Sequence, residues 1–485
     1  MLDSGSRGNR KMPASQSRFC SVLLAAVLLC AVAAIAQAQT DHTDEAIDAV
    51  HRSQDLSRLP QGDTTRTDNE GGFAYPSQNP DLRGQINQLG ASIPQNGAGG
   101  IVALPAPAGR RPGSGVPPAG ERRLVRNEVV AEMASPATPQ AIAALALRNN
   151  LTLVDQLASQ LTGTTMLLLR IPDRRALPAV IQALQADAAV LSAQPNYLFA
   201  LQDDAPRGAD PLQYALVKLR LPQAHTLGQG ENVLVGVIDS GIDATHPDLT
   251  GSLAASFDAT GNTGAPNDHG TAIAGLIVAH GRLMGSAPKA RILSARAFDA
   301  ASAGAQGTTF NILKSLDWTA VKGARVINMS FAGPSDPAIH RSLEGAYRNA
   351  IMLVAAAGNA GPRSPPLYPG ADPNVLAVTA TDAADRIFAG ANRGDYIAVA
   401  APGVDILVAA LDGGYQVLSG TSFSAAEVSG IAALMIGRQP GLRPDAVRAI
   451  LLATARPLEP QEPKLADAYQ AISAPSVNGP RNAGR

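Results

Sequence analysis

Three side chains of this sequence, far apart along the chain, have the types and local settings that acyl transfer needs. Ser422 stands in Leu418-Ser-Gly-Thr-Ser-Phe-Ser-Ala-Ala-Glu-Val-Ser-Gly430, after a tight Gly-Thr turn and before a helix rich in small residues. A serine there serves either as a helix N-cap or as a nucleophile beside free N–H groups and positive potential. Ala425, Ala426 and Gly430 would let that helix pack close to a sheet. His269, in Asn267-Asp-His-Gly-Thr271, opens an apolar helical stretch and is either a structural histidine or a general base. Asp239 ends the apolar run Val233-Leu-Val-Gly-Val-Ile238, where a carboxylate is either a turn cap or the partner of an imidazole. Asn359 follows the apolar run Met352–Ala356 in a Gly-rich turn. It is either tolerated in a left-handed turn or aims its amide NH2 at an oxyanion. Six other histidines (His42, His51, His225, His246, His280 and His340) occupy no comparable loop-to-helix junction.

The elements that must hold these residues follow from hydrophobic period. Runs at Val233–Ile238, Arg291–Ala295, Val326–Met329, Met352–Ala356, Val375–Val378 and Ile397–Ala401 are continuous enough for strands buried on both faces. Helical stretches alternate with them, so residues 210–475 are predicted to form an α/β domain with a mostly parallel, doubly wound sheet flanked by helices. Residues 123–203 read β-α-β-β-α-β, a small α+β ferredoxin-like unit with two helices on one face of its sheet. Its expected segments are Glu128–Met133, Thr138–Arg148, Leu151–Leu157, Thr164–Ile171, Arg174–Ala186 and Val190–Leu201.

At these residues the chain resembles the subtilisin-like serine peptidases. The resemblance rests on Val237-Ile-Asp239-Ser-Gly-Ile-Asp-Ala-Thr-His-Pro-Asp-Leu249, on Asp268-His-Gly-Thr271 and on Gly420-Thr-Ser-Phe-Ser424, in Asp, His, Ser order. It extends from about Pro211 to Ile472. It implies a triad of Asp239, His269 and Ser422, with Asn359 in the oxyanion hole. It also implies a substrate cleft between Ser330, Phe331, Ala332 and Gly333 on one side and Ala356, Ala357 and Gly358 on the other. Residues 123–203 are similar to the family's inhibitory prodomain, which places a cut between Ala200 and Leu212. Three positions depart from the family pattern: Ala272 replaces a frequent histidine, and Ala426 and Glu427 stand where Pro and His usually follow the serine. A carboxylate buried at Glu427 needs a partner or a raised pKa. The family often carries structural calcium, but Asp243, Asp248 and Asp258 form no liganding spacing and read as solvated loop carboxylates. No metal site is assigned and no cofactor is required.

The implied activity is an exported endopeptidase acting on polypeptides and made as a self-processing zymogen. A silent peptide-binding protein on the same fold is the alternative, and a nucleotide-binding protein is disfavoured by the lack of a Gly-x-Gly-x-x-Gly or Walker-type loop. The chain has 485 residues, 45% hydrophobic and 16% charged, so a large core can be buried. A net charge of −1 and 4% aromatic residues disfavour nucleic acid as a partner. Residues 1–38 read as a signal peptide: Arg7, Arg10, Lys11 and Arg18 precede an apolar run from Phe19 to Ile35, then Ala36-Gln-Ala38. The destination is the periplasm or the exterior, with an uncleaved membrane anchor as the alternative reading, and membrane contact is through this segment only. Both cysteines, Cys20 and Cys30, lie inside it, so the mature chain would carry no disulfide. Residues 39–122 read as a disordered Pro/Gly-rich linker and 476–485 as a disordered tail.

Overall fold

The computed structural model describes residues 101–102, 115–134, 136–202, 213–261, 264–299, 305–458 and 462–474. The signal segment, most of the 39–122 linker, the 476–485 tail and residues 203–212 lie outside the described residues. Among the described residues no helix is long and apolar enough to cross a membrane.

The first unit is β1 (Leu124–Ala134), α1 (Pro139–Arg148), β2 (Thr152–Ser159), β3 (Thr164–Arg170), α2 (Leu177–Ala186) and β4 (Val190–Leu201). Thr138 caps α1 by accepting from Ala141 N, with Pro139 in the first turn where no N–H is missed. Its four strands run in the order β2-β3-β1-β4, each antiparallel to its neighbour. The strand period of two divides the side chains cleanly. Val129, Ala131, Met133, Leu167 and Leu169 pack under the two helices, together with Leu145, Ile181 and Leu184. Val130, Met166 and Leu168 face the other way and join a core shared with the rest of the chain.

The larger part is built on a seven-stranded sheet. Its strands are β5 (Leu234–Asp239), β6 (Leu253–Asp258), β7 (Arg291–Arg296), β10 (Val326–Met329), β12 (Met352–Ala356), β13 (Leu376–Thr381) and β14 (Ile397–Pro402). The sheet order is β14-β13-β12-β10-β5-β7-β6 and every pairing is parallel. Short strands β9 (Gln306–Thr308) and β11 (Phe331–Ala332) pair with β4 instead, and β8 (Phe298–Asp299) pairs with β9. One face of the main sheet is covered by α3 (Asp268–Val278) and α6 (Thr421–Arg438), the other by α4 (Thr309–Val321) and α5 (Pro337–Arg348). Strands β6, β8 and β9 and the hairpin of residues 406–418 were not expected from the sequence. Strand β6 is a half-exposed sheet edge whose apolar run is broken by Ser256 and ended by Asp258, and the hairpin of β15 (Ile406–Ala409) and β16 (Tyr415–Leu418) is short.

Helix α6 is buried at every position from Thr421 to Ile436, so it has no solvent face and must be lined with small residues to fit. Gly430 is the tightest point: a Cβ there would lie 2.4 Å from Ser286 Cβ. Gly430→Ala should therefore destabilise the fold by about 1–3 kcal/mol through overpacking, read as a lower urea midpoint at unchanged slope.

Candidate active site

Asp239 is the last residue of β5 and is 1% exposed. A buried carboxylate requires donors. Asp239 Oδ1 accepts from Ser240 N at 2.7 Å and from Ser240 Oγ at 2.9 Å. His269 Nδ1 lies 2.9 Å from both oxygens. The imidazole is carried in the first turn of α3, where Asn267 caps the helix by accepting from His269 N at 3.0 Å. Thr271 Oγ1 accepts from Asp243 N at 3.0 Å, which ties the loop after β5 to the start of α3. Gly270 is required between them, because a Cβ would lie 2.1 Å from Gly241 O and 3.2 Å from Asp239 Oδ1.

Ser422 is fully buried in the first turn of α6, and the ring of the next residue, Phe423, lies 6.0 Å from that of His269. The recorded hydrogen bonds of Ser422 Oγ run to Gln202 O at 2.5 Å and to Ser330 O at 3.1 Å. A buried chain fixes the helix start: Ser429 Oγ donates to Asn328 Oδ1, Asn328 Nδ2 to Ser330 Oγ, and Ser330 Oγ to Ser422 O at 3.0 Å.

Asn359 follows β12, and its Oδ1 accepts from Thr421 N at 3.1 Å and Thr421 Oγ1 at 2.9 Å. With the oxygen so engaged, the amide turns its NH2 the other way. Asn359 Nδ2 is buried and has no hydrogen-bond partner among the described residues. A buried unpaired donor costs about 1–3 kcal/mol, which a site retains when a transient acceptor is to come. Thr421 was not singled out from the sequence; its place beside the serine in Gly420-Thr-Ser422 was the available signal.

The cleft-lining residues come together as well. Phe331 and Ala332 form β11, which pairs antiparallel with Leu201 and Ala200 at the end of β4. Gly333 bridges Tyr368. Ala356, Ala357 and Gly358 run along the end of β12, with Gly358 N donating to Thr421 Oγ1 at 3.1 Å. The end of β4 thus occupies the groove they bound, a placement that no local sequence signal announces.

Two expectations are corrected. Asp243 and Asp248 are not solvated. Asp248 is 2% exposed and accepts from Arg282 N, Leu283 N and Tyr415 Oη, so it fastens the turn at Pro247 to the β15–β16 hairpin. Asp243 is buried and accepts from Thr245 and Asp412, and its carboxyl is held below the usual range chiefly by the Thr245 hydroxyl. Asp258 alone is exposed, paired to Arg296 at 3.3 Å. His246 does occupy a helix start: its Nδ1 accepts from Asp248 N at the 3₁₀ turn Pro247–Leu249. Among the described residues no three His, Cys, Asp or Glu side chains converge as a metal site.

Glu427 is 2% exposed, five residues beyond Ser422 on α6. Its recorded partner is the Ser286 hydroxyl, which donates to Oε2. Burial pushes its pKa up to about 7, and the single donor only partly opposes that shift.

A model of the subtilase family matches residues 230–471. The chain is 35% identical over 267 residues to a thermophilic serine proteinase of Bacillus sp. (strain AK1), covering 53% of this chain and 66% of that one. It is 33% identical to thermitase of Thermoactinomyces vulgaris, covering 50% of this chain and 88% of the relative. It is also 33% identical to a subtilisin of Bacillus pumilus, covering 51% and 92%. In fold it is similar to fervidolysin from Fervidobacterium pennivorans, a keratinolytic enzyme related to subtilisin. That match has a TM-score of 0.64 at 22% identity, over 74% of this chain and 62% of that one.

Glu427 makes the testable difference at this site. A carboxyl whose folded pKa lies above its unfolded value contributes stability below the unfolded pKa and loses it as pH rises through the folded one. Measured against Glu427→Gln, the parent should lose about 1.4 kcal/mol per pH unit between about 4.5 and 7, then run parallel. Urea titrations across pH 4–8 read this directly, and parallel curves throughout would refute it.

Proposed function

Because the chain belongs to the subtilase family, we propose that it is an exported serine endopeptidase working through Asp239, His269 and Ser422, made as a zymogen with residues 123–203 as its inhibitor. The observation that carries this reading is the His269–Asp239 contact, with the imidazole 6.0 Å from the ring of Phe423, next in sequence to a serine whose hydroxyl meets a peptide carbonyl. In the forward step His269 takes the Ser422 proton as Oγ attacks the substrate carbonyl, then passes it to the leaving amine. Asp239, held by both Ser240 donors, keeps the imidazole in one tautomer and stabilises its cation. Asn359 Nδ2 and the helix start at Ser422 stabilise the tetrahedral oxyanion. Water then hydrolyses the acyl-enzyme by the same proton path. No cofactor enters, since nucleophile, base and oxyanion donor are all side chains of the chain. Extended polypeptide is the natural substrate, because β11 offers an edge on which a peptide adds as a strand.

Docking of the N-terminal unit supports its inhibitory role. Its tail fills the groove, and its sheet lies over α4 and α5. Asn196 Oδ1 accepts from Phe310 N at the start of α4, and Gln194 Oε1 accepts from Ala338 N at the start of α5. Glu132 pairs with Arg341 of α5 at 3.2 Å. Two features support export: the sequence of residues 1–38 and the lack of any later cysteine.

Ser422→Ala should abolish both casein hydrolysis and labelling by a fluorophosphonate, and an unlabelled but correctly folded parent would sink the reading. Asn359→Leu should cut kcat about 10²–10³-fold with KM little changed, the magnitude known for an oxyanion donor of the subtilisin kind. Asp239→Asn should cost about 10⁴-fold in kcat, checked by steady-state kinetics on a peptide anilide.

A further inference from the structure

We infer that the bond after Gln202 is the one this protease cuts in its own chain, and that Phe199-Ala-Leu-Gln202 is the sequence its cleft is shaped to read. The inference rests on the protease reading above and adds to it the bond and the side chains recognised.

Strand β4 leaves its own sheet before it ends. Its last pairing with β1 is Tyr197 with Leu124. Beyond that, Leu198, Phe199 and Ala200 pair antiparallel with Thr308, Gly307 and Gln306 of β9, while Ala200 and Leu201 pair with Ala332 and Phe331 of β11. The tail is therefore the middle strand of three. Gln202 N then donates to Ser330 O at 3.3 Å, and Gln202 O accepts from Ser422 Oγ at 2.5 Å. No other recorded acceptor of Ser422 Oγ is a carbonyl of the N-terminal unit.

The register is pinned by one side chain. Phe199 is 2% exposed, with its ring edge-on to Phe331 at 6.0 Å. A Cβ on Gly333 would lie 2.3 Å from that ring, so the groove floor is glycine where the ring sits. Slipping the strand by one residue would turn the ring to the opposite face. Slipping it by two would put the smaller Leu201 or the hydroxyl-bearing Tyr197 in its seat and move Gln202 away from Ser422.

The Gln202 amide is held by one contact from the cleft and two within the tail itself. Its Oε1 accepts from Asn359 N at 2.9 Å, and its Nε2 donates to Ala200 O and Leu201 O at 3.1 Å each. A carboxylate would keep the first contact and turn the other two into repulsions between acceptors. Glutamine is thereby preferred over glutamate before the scissile bond.

The step balances without any further reagent. Ser422 Oγ bonds to the Gln202 carbonyl carbon and its proton passes to His269. The bond from that carbon to the nitrogen of Asp203 breaks, and the amine leaves with the proton from His269. Water then adds to the Ser422–Gln202 ester, releasing a Gln202 carboxylate and restoring the hydroxyl. The new carboxyl end stays in the groove that β9 and β11 form, so the product is also the inhibitor.

Mass spectrometry of the full chain during maturation tests this. The first released N-terminal fragment should end at Gln202, its partner beginning at Asp203. Gln202→Glu should slow that first cut at least about tenfold, as loss of two hydrogen bonds predicts. Because that variant could also misfold, mature enzyme is given quenched peptides carrying Phe-Ala-Leu-Gln-Asp or Phe-Ala-Leu-Glu-Asp, and the same preference should appear in kcat/KM. A first cut at another bond, or equal rates for the two peptides, overturns the inference. If casein is still cut and Ser422 still labelled, only this inference falls; if neither occurs, the protease reading falls with it.

Discussion

Burial of helix Thr421–Arg438 at every position from Thr421 to Ile436 is the constraint on which the site depends. Its first turn must emerge at the carboxyl end of the parallel sheet, where β5 delivers Asp239 and β12 delivers Asn359. That is where doubly wound sheets place their ligands, because the loops on that edge diverge. A helix with no wet face cannot shift to accommodate a poor fit, so its start is held as firmly as a strand. Ser429, Asn328 and Ser330 then lock the first turn through hydrogen bonds that water does not compete for. The serine hydroxyl is placed by packing more than by any interaction of its own.

The N-terminal unit uses the same economy of faces. One side of its sheet is sealed by α1 and α2, and the other would be exposed apolar surface if the unit stood alone. On the larger part, α4 and α5 begin with N–H groups that need acceptors. Asp336 caps α5 from within, accepting from Ala338 N and Ile339 N, and Gln194 and Thr309 donate to it in turn. Apolar area supplies the attraction, while Gln194 and Asn196 fix which way round the two parts meet. Burial raises the pKa of both Asp336 and Asp317 despite their donors. Covering these carboxyls therefore favours their neutral forms, and raising pH works against the covered state.

Much of this could be read from the chain. The buried strands announce themselves as apolar runs, and the bounds of β4, β10 and β12 match the runs Val190–Leu201, Val326–Met329 and Met352–Ala356. Asp239, His269 and Ser422 stand in dense local motifs, so their neighbourhoods carried the information. What escaped reading is what long-range pairing decides. Asp248 looks like a loop carboxylate until Arg282, Leu283 and Tyr415 converge on it from 34 or more positions away. Gln202 has no distinguishing neighbour at all. Its place at Ser422 follows from a strand that crosses from one sheet to another, which no residue pattern within β4 encodes.

Buried carboxylates in this fold differ chiefly in the donors that reach them. Asp248 receives three donors and Asp239 two besides the imidazole, enough to replace the water each has lost. Glu427 receives one, although it lies on the same helix as the serine. The subtilisin-like pattern usually has histidine there, a residue that can be buried neutral without titrating far from its ordinary range. A glutamate in the same space can be accommodated only by keeping its proton, which is what a pKa raised to about 7 means at and below neutrality. Asp239 is thus met by several donors at the end of β5, while Glu427, five residues beyond Ser422 on α6, is met by one and is shifted toward its neutral form. The departure at Glu427 is accommodated by burial beside a single donor, which holds its proton to higher pH than a solvated glutamate would.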